Sequence, residues 1–302
     1  MNVFLIEKKG VFKPLEIRRP EILEQFELYT RDLRPILSHK QVSTVSRRKK
    51  ALIVNLNNVK FLVGRNKALL FTTTERSFPK LKEFLEDKMS TYRGVLPFEL
   101  FLLDQAFFFV ITQLRERVQK IEKEAQKVES TLSDNPTDAY LERLLSLKKK
   151  LGKVSSEIQS YDEILEEFLD DDENLADLRF LKNPTPDQLE EVESVVENLS
   201  QQVEQTSNKI DEIDENLEDS QEILSLKIAN MRNTIIRFDL VISVITTVFS
   251  FLAVVVGLYG MNVKNGYESS SEAFGVILGL LGVFTLVSLV FMWYQFKRTR
   301  IF

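Results

Sequence analysis

The sequence contains no cysteine and only one histidine, His39, in 302 residues. Without cysteine the chain can form no disulfide, no thiolate metal site and no cysteine nucleophile. A single histidine cannot build a zinc site, so we expect His39 to be a surface loop residue. The sequence also lacks a glycine-rich phosphate loop and a nucleophile elbow. We therefore expect no enzyme, no organic cofactor, no small-molecule substrate and no nucleic-acid partner.

Proline and glycine are also missing from residues 187–256. In the first part of this range, apolar or small residues recur at alternating steps of three and four, which indicates a heptad seam. The seam residues are Leu189, Val192, Val196, Leu199, Val203, Thr206, Ile210, Ile213, Leu217, Ser220 and Leu224. The pattern predicts one helix of about 70 residues, roughly 100 Å long. The seam by itself is that of a plain coiled coil. Because the same helix continues into an apolar segment, a shift at the N-terminal end of the helix would be transmitted to that segment.

The net charge of −5 conceals a strong segregation of charge. Residues 157–222 contain 23 acidic and three basic side chains, whereas residues 1–156 carry a net charge of +11. This distribution predicts electrostatic pairing within or between subunits, or the binding of cations.

Two C-terminal segments have the length and composition of membrane spans. Residues 240–259 and 273–296 contain no charged residue, and each could cross a hydrocarbon core of about 30 Å as a helix. The short linker 260–272 makes them a hairpin. Basic residues precede the first span (Lys227, Arg232, Arg237) and follow the second (Lys297, Arg298, Arg300). The positive-inside rule then predicts that both termini lie on the cytoplasmic or matrix side. The N-terminus is typical of a strand and not of a targeting peptide.

The predicted fold class is an α+β soluble domain with long helices, followed by two transmembrane helices. Strands are expected at 51–56, 61–63 and 68–72, with short helices near 20–29 and 79–88. Long helices are expected over 98–134 and 137–169, and an acidic run then opens a short helix that ends near residue 181. We divide the chain into a small α/β domain (1–95), long helices with the short acidic helix (96–186), a stalk (187–239), the first span (240–259), an outer loop (260–272), the second span (273–296) and a basic tail (297–302).

A stripe of small and polar residues follows one face of the first span. It comprises Ser243, Thr246, Ser250, Ala253, Gly257 and Gly260, and its backward extension meets Asp239, Ile236 and Arg232. Small residues allow close helix packing, and hydroxyls can bond to the backbone. Alternatively, several copies of the stripe line a water-filled path, which Asp239 favours because intramembrane ionisable groups mark ion routes. Two spans cannot enclose a pore, so a pore requires a ring of subunits. Gly275 and Gly279 in the second span suit packing better than lining.

The sequence Tyr259-Gly260-Met261-Asn262, which closes the first of the two spans, resembles the signature of the CorA superfamily of magnesium channels. Further stretches resemble its eukaryotic, mitochondrial-type branch. These are Arg31-Asp32-Leu33-Arg34, Leu96-Pro97-Phe98-Glu99, Leu169-Asp170-Asp171-Asp172-Glu173-Asn174, Asp219-Ser220-Gln221 and Arg232-Asn233. They occur in the family's order along most of the chain. The resemblance implies a funnel-shaped homopentamer in a lipid membrane, with the first spans lining the pore and the second spans around them.

The resemblance also implies a selectivity filter at Gly260, Met261 and Asn262. Magnesium releases its water reluctantly, so a ring of neutral amide and carbonyl oxygens suits the hydrated ion. Glu268 and Glu272 either attract cations to the outer mouth or are ordinary solvated loop acids. The implied transported ion is magnesium, and zinc, cobalt or nickel is the alternative within the same fold.

The family's narrow gate falls at Ile236 and Asp239. An Arg232 ring beside it would oppose cation flow unless acids or anions neutralise it, or Arg232 pairs with an acid of the neighbouring subunit. Acidic residues are candidate regulatory magnesium ligands, although acidic helices are commonly just solvated. The candidates are Asp170, Asp171, Asp172, Glu173, Asp211, Glu212 and Glu215. The expected location is the mitochondrial inner membrane. A membrane-anchored coiled-coil tether without conduction is the structural rival, but it leaves the stripe and Gly260-Met261-Asn262 unexplained.

Overall fold

The structure, a computed structural model, describes residues 1–8, 10–37, 43–57, 59–72, 78–131, 138–180, 184–261, 266 and 271–298. The chain forms two compact units, residues 1–221 and 222–302. His39 lies outside the described residues.

Six antiparallel strands form the sheet of the first unit, in the order β2-β1-β6-β5-β4-β3. The strands are β1 Asn2–Glu7, β2 Phe12–Glu16, β3 Thr44–Arg47, β4 Leu52–Leu56, β5 Val59–Val63 and β6 Lys67–Phe71. All five residues of β4 are buried, because apolar and β-branched side chains point to both faces of a covered sheet. Long helix α4 contacts β4 and β5.

Three short helices and a 3₁₀ turn accompany the sheet: α1 Arg19–Gln25, a 3₁₀ helix Thr30–Leu33, α2 Arg34–Leu37 and α3 Phe78–Thr91. One hydrophobic core joins α1, the 3₁₀ turn and α2 to the sheet through residues that include Ile22, Phe26, Leu33, Ile53 and Leu69. Each of these five is at most 2% exposed.

The predicted strands are confirmed, but two further strands escaped the sequence pattern. These are β2 and β3, which lie at the two edges of the sheet. An edge strand tolerates proline and polar residues, since it has only one paired neighbour and part of it faces solvent. Accordingly β2 contains Pro14, and β3 reads Thr-Val-Ser-Arg. Neither has the apolar run by which a central strand is recognised.

The described residues after α3 form five further helices: α4 Phe98–Thr131, α5 Asp138–Leu169, α6 Asp172–Leu178, α7 Pro186–Tyr259 and α8 Ser271–Arg298. The predicted unbroken helix is confirmed, since α7 is 74 residues long. Helix α7 and residues 274–294 of α8 each contain an 18-residue stretch apolar enough to cross a membrane, with mean hydropathies of 2.5 and 2.6.

The heptad seam of α7 packs within the chain. Its members from Val192 to Leu224 are all buried, each at most 6% exposed. Polar contacts identify the partners: Arg115 of α4 donates to Thr206 Oγ1 (3.1 Å), and Lys148 of α5 pairs with Glu218 (2.9 Å). From Val192 to Ser220 the seam therefore packs on α4 and α5 within the same chain.

Asp32, in one of the family-like stretches, is a buried structural residue with 4% exposure. Its carboxylate accepts hydrogen bonds from the Tyr29 N–H (2.9 Å) and from Arg48 Nε (2.8 Å). Burial by itself raises the pKa of Asp32, but these bonds and the charges of Arg48 and Arg31 outweigh it and leave the pKa below its ordinary value. The ionised carboxylate thus joins the 3₁₀ turn to the loop after β3.

We expect Asp32→Asn to lower the free energy of unfolding by about 1–3 kcal/mol, as for a lost charge-assisted hydrogen bond. A carboxyl group whose pKa is lower in the folded than in the unfolded state stabilises the fold at pH values above its unfolded pKa. This stabilisation is lost as the pH falls through the pKa of the folded state. The difference between wild type and variant should therefore be full at neutral pH and shrink below about pH 4. Urea unfolding of the full chain in detergent, followed by circular dichroism, measures it. Exposed Asp87→Asn on α3 is the control, and equal losses in both variants would contradict this role.

Candidate functional site

The small-polar stripe occupies one exposed face of α7. Ser243, Thr246, Ser250, Ala253 and Gly257 are all exposed in the single chain. Their spacing of three and four places them on one side of the helix. This arrangement matches the stripe expected from the sequence.

The opposite face of α7 is half-buried and carries larger apolar side chains. Its residues are Val241, Val244, Ile245, Val248, Leu252 and Val255. A matching half-buried face on α8 comprises Ile277, Leu281, Thr285, Ser288 and Met292. The rings of Phe251 and Phe284, with centroids 4.9 Å apart, join the two helices. Helix α8 therefore packs on the face of α7 opposite the stripe and leaves the stripe uncovered.

The stripe presents hydrogen-bond acceptors. The hydroxyl of Thr246 donates to the carbonyl of Ile242 at 2.8 Å. Because this bond uses the only proton of the hydroxyl, the lone pairs of Thr246 Oγ1 remain available to accept. Water molecules around a cation point their hydrogens outward and need such acceptors. The same bond also satisfies the hydroxyl within its own helix, as in ordinary helix packing.

The stripe continues toward the N-terminus of α7 through Arg232, Ile236 and Asp239. All three are exposed, Ile236 by 51%. Their helical positions put them on the same face as Thr246. The predicted gate residues thus follow the same side of α7 as the stripe.

Gly260 directly follows the last residue of α7 and is exposed. Its N–H donates to the Val256 carbonyl at 2.9 Å, and a Cβ added here would lie 3.3 Å from that oxygen. At Gly257 an added Cβ would meet nothing within 4 Å. Met261 is 55% exposed. Asn262 and Glu268 lie outside the described residues, whereas Glu272 is exposed in the first turn of α8.

The acidic run begins where α5 ends, and part of it has a structural role. Asp171 is the N-cap of α6 and accepts from the Glu173 N–H at 3.0 Å. Asp172 and Glu173 occupy the first turn of α6, where negative charge is favoured by the helix dipole. Helix stability alone accounts for acidic residues at these three positions.

The second acidic group lies on α7. Helix α6 is joined to α7 near Glu191, which pairs with Arg179 at 2.5 Å. Leu169, which precedes Asp170, lines a pocket together with Glu197 and Glu204 of α7. Asp211 lies seven residues beyond Glu204, about 10 Å further along the helix axis. Glu212 has a cation partner within the chain, since Lys209 Nζ lies 2.8 Å from its carboxylate and 3.0 Å from Glu122. Hydrogen bonds to Glu212 and Glu122 raise the pKa of Lys209.

Within the described residues, no group of three or more His, Asp or Glu side chains is placed to hold a metal ion. The candidate ligands Asp170, Asp171, Asp172, Glu173, Asp211, Glu212 and Glu215 therefore do not form a closed site in one chain.

Sequence reasoning missed a polar cleft of about 1200 Å³ between edge strand β3 and α5. Within it, Glu157 pairs with Arg117 and accepts a hydrogen bond from the Asn57 side chain. Asn57 has a positive φ of 59° in the turn between β4 and β5, a conformation that asparagine tolerates. No sequence motif marks the cleft, because its lining residues come from β3, the turn after β4, α4 and α5, which are distant in the sequence.

Glu99, in another family-like stretch, is also buried, with 8% exposure. Burial raises the pKa of this carboxyl, and the charges of Arg179, Arg65 and Lys8 partly oppose the rise. Like Asp32, Glu99 lies inside the soluble unit and not on the stripe.

Two adjacent threonines test whether the stripe acts as more than a packing surface. Thr246 and Thr247 each donate to the i−4 carbonyl at 2.8 Å, but only Thr246 lies on the stripe. We expect Thr246→Val to reduce magnesium uptake into liposomes severalfold and Thr247→Val to leave it near wild type. Equal effects of the two changes would show that the stripe face has no special role.

Comparison with known proteins agrees with the fold. A family model described as magnesium transporter MRS2-like matches residues 4–232. The magnesium transporter MRS2-2 of Arabidopsis thaliana is 23% identical, over 95% of this chain and 89% of that protein. The mitochondrial inner membrane magnesium transporter MRS2 of Yarrowia lipolytica is 28% identical, over 98% and 75%.

Among solved structures, the CorA magnesium transporter of Methanocaldococcus jannaschii superposes with a TM-score of 0.71 at 16% identity. The match covers 99% of this chain and 98% of that one. The predicted fold class, an α+β soluble part with long helices and two C-terminal apolar helices, is thereby confirmed. Because the family model covers most of the chain, the chain belongs to the MRS2-like magnesium transporter family.

Proposed function

We propose that this chain conducts hydrated magnesium through a pore lined by the stripe of α7. The observation that carries the proposal is the uncovered small-polar face of a membrane-length helix. Helix α8 packs on the opposite side through Phe251 and Phe284, so the stripe remains open for a water-filled path. The relatives named as magnesium transporters supply the ion.

The proposed channel is a homopentamer, as the resemblance to the CorA superfamily implies. A single stripe cannot enclose a path, so neighbouring copies of α7 must complete it. In this arrangement α8 forms the outer ring and contacts lipid. The proposed division of the chain follows: soluble parts over 1–239, spans at 240–259 and 273–296, and the outer loop between them.

Selection is assigned to Gly260, Met261 and Asn262. Magnesium keeps its hydration shell unless the site returns a comparable free energy. Amide oxygens of an Asn262 ring and carbonyls of Gly260 would accept hydrogen bonds from that shell without the strong grip of carboxylates. Glu268 and Glu272 would raise the local concentration of cations at the outer mouth.

The proposed location is the mitochondrial inner membrane, with both termini on the matrix side. The Yarrowia and Candida relatives are named as proteins of that membrane, and basic residues flank the two spans on the side of the termini. A divalent cation moving toward a negative interior gains about 4.6 kcal/mol per 100 mV. The membrane potential alone can therefore drive influx.

The gate is assigned to Ile236 and Asp239 on the stripe face, with Arg232 beside them. An apolar Ile236 ring would narrow and dry the path, while an Asp239 ring would attract cations next to it. An Arg232 ring opposes cations unless an anion or an acidic side chain neutralises it.

Internal magnesium is proposed to inhibit the channel by binding acidic residues of the soluble part. One chain forms no such site among its described residues, so carboxylates from adjacent subunits would have to share the ion. Asp170, Asp211 and Glu215 are exposed candidates. Bound magnesium would cancel their mutual repulsion and favour the closed state.

We expect Asn262→Ala to lower magnesium uptake by at least about tenfold, because each subunit loses one oxygen that would accept a hydrogen bond from the hydrated ion. A tenfold effect corresponds to a combined loss of about 1.4 kcal/mol of interaction free energy. Uptake into liposomes under an imposed negative interior measures it. Competition by zinc, cobalt and nickel in the same assay shows how far the selection extends.

The control for that change is Asn230→Ala, an exposed asparagine on α7 on the side opposite the stripe. It should retain wild-type uptake. If Asn262→Ala conducts as well as wild type, the filter assignment is wrong, and the tether interpretation, which predicts a silent change, is favoured.

Neutralising the acidic run should weaken inhibition by internal magnesium. The variant Asp170→Asn, Asp172→Asn and Glu173→Gln keeps the Asp171 cap of α6, so the fold is preserved. We expect uptake to persist at internal magnesium concentrations that silence the wild type. Exposed Glu142→Gln and Glu166→Gln on α5 provide a matched control. An unchanged inhibition curve would remove this run from the sensor.

A further inference from the structure

The outer surface of α8 carries an apolar groove of about 410 Å³. It is lined by Leu286, Val287, Val290, Phe291 and Tyr294. These residues recur at steps of three and four, so the groove runs along the helix. All five side chains are apolar or aromatic, and each is between 55% and 65% exposed.

The groove faces away from α7. The side of α8 that packs on α7 carries Leu281, Thr285, Ser288 and Met292, and at 100° per residue the groove lies on roughly the opposite side. In a membrane this side of the hairpin is open to acyl chains. The groove is therefore a lipid-accessible surface of the described residues.

A cation stands at one end of the groove. Lys297 follows Tyr294 by one turn on the same face, and its ammonium lies 5.2 Å from the ring centroid of Trp293. Trp293 is 62% exposed and Tyr294 58%. Amphipathic aromatic rings prefer the boundary between acyl chains and headgroups, so Lys297 lies at headgroup level.

A second cation lies at the same level on α7. The helices are antiparallel and meet at Phe251 and Phe284. Arg237 precedes Phe251 by fourteen residues, and residue 298 of α8 follows Phe284 by fourteen. Arg237 is therefore level with residue 298, which follows Lys297 in the sequence. Arg237 is exposed. Two cations thus border the same end of the membrane hairpin.

The length of the surface fits half a bilayer. From Leu286 to Lys297 the helix rises about 16 Å, close to half of a hydrocarbon core of about 30 Å. One acyl chain in the groove would therefore place its phosphate beside Lys297.

We propose that this surface is a binding site for an anionic phospholipid, with one acyl chain in the groove and the headgroup phosphate at Lys297. The positive end selects a negative headgroup, and the groove requires a hydrocarbon chain attached to it. The proposal rests on the membrane insertion in the proposed function and not on ion conduction.

The test uses the full chain in detergent and phosphatidylglycerol as the probe, with phosphatidylcholine as the neutral comparison. Native mass spectrometry counts retained lipid, and the thermal unfolding midpoint is followed as each lipid is added. We expect preferential retention of phosphatidylglycerol and a rise in the midpoint with this lipid alone. Equal retention and equal shifts with phosphatidylcholine would overturn the proposal.

Lys297→Gln should reduce the affinity for phosphatidylglycerol about fivefold, as expected for one cation near an anionic headgroup. Its control is Lys88→Gln, since Lys88 also stands over an aromatic ring, Phe84, but in the soluble unit. Retention unchanged by Lys297→Gln, or lowered equally by Lys88→Gln, would contradict the site.

Val290→Trp fills the groove and should reduce retention of phosphatidylglycerol, whereas Val276→Trp, exposed near the other end of α8, should not. Glycerol phosphate and inorganic phosphate are added as separate arms. An equal midpoint shift with either would show a free-phosphate site and refute the lipid proposal. If Val290→Trp changes the mass of the assembly but not lipid retention, the groove is a subunit contact. These readouts need no ion flux, so a failure of conduction leaves them interpretable.

Discussion

Most of this structure depends on the unbroken backbone hydrogen bonding of α7. In hydrocarbon every backbone N–H and C=O must be satisfied within the chain, which a helix achieves and a broken segment does not. In the soluble unit the same helix supplies a seam that α4 and α5 bury. The absence of proline and glycine from residues 187–256 allows one element to meet both demands across 74 residues.

The faces of the membrane part of α7 have distinct roles. One face is closed by α8 through larger apolar side chains, while the opposite face, with Ser243, Thr246 and Ser250, remains uncovered. A hairpin of two helices cannot itself cover both sides of α7. The exposed polar face therefore links the fold of one chain to its proposed assembly, because further copies are needed to surround it. On α8 the groove beside Lys297 faces away from α7.

Residues that mark the family have different physical roles. Asp32 and Glu99 are buried in the soluble unit, where Asp32 joins a 3₁₀ turn to Arg48 and Glu99 lies near several basic side chains. Asp171 caps α6. The proposed conduction residues are instead confined to one face of α7 and to its C-terminal end. The family signature thus contains both residues that stabilise the fold and residues proposed to function in conduction. The surroundings of each residue in the structure distinguish the two kinds.

The sequence by itself determined the long helices, the two spans, the buried strands and the periodic stripe, because hydrophobic periodicity and helix breakers are local signals. It did not reveal β2 and β3, since edge strands need no continuous apolar run. Only the tertiary structure decided that the seam packs on α4 and α5, that α8 leaves the stripe open and that Asp171 is a cap. These features depend on contacts between residues distant in the chain, and local periodicity carries no information about which partner a face will meet.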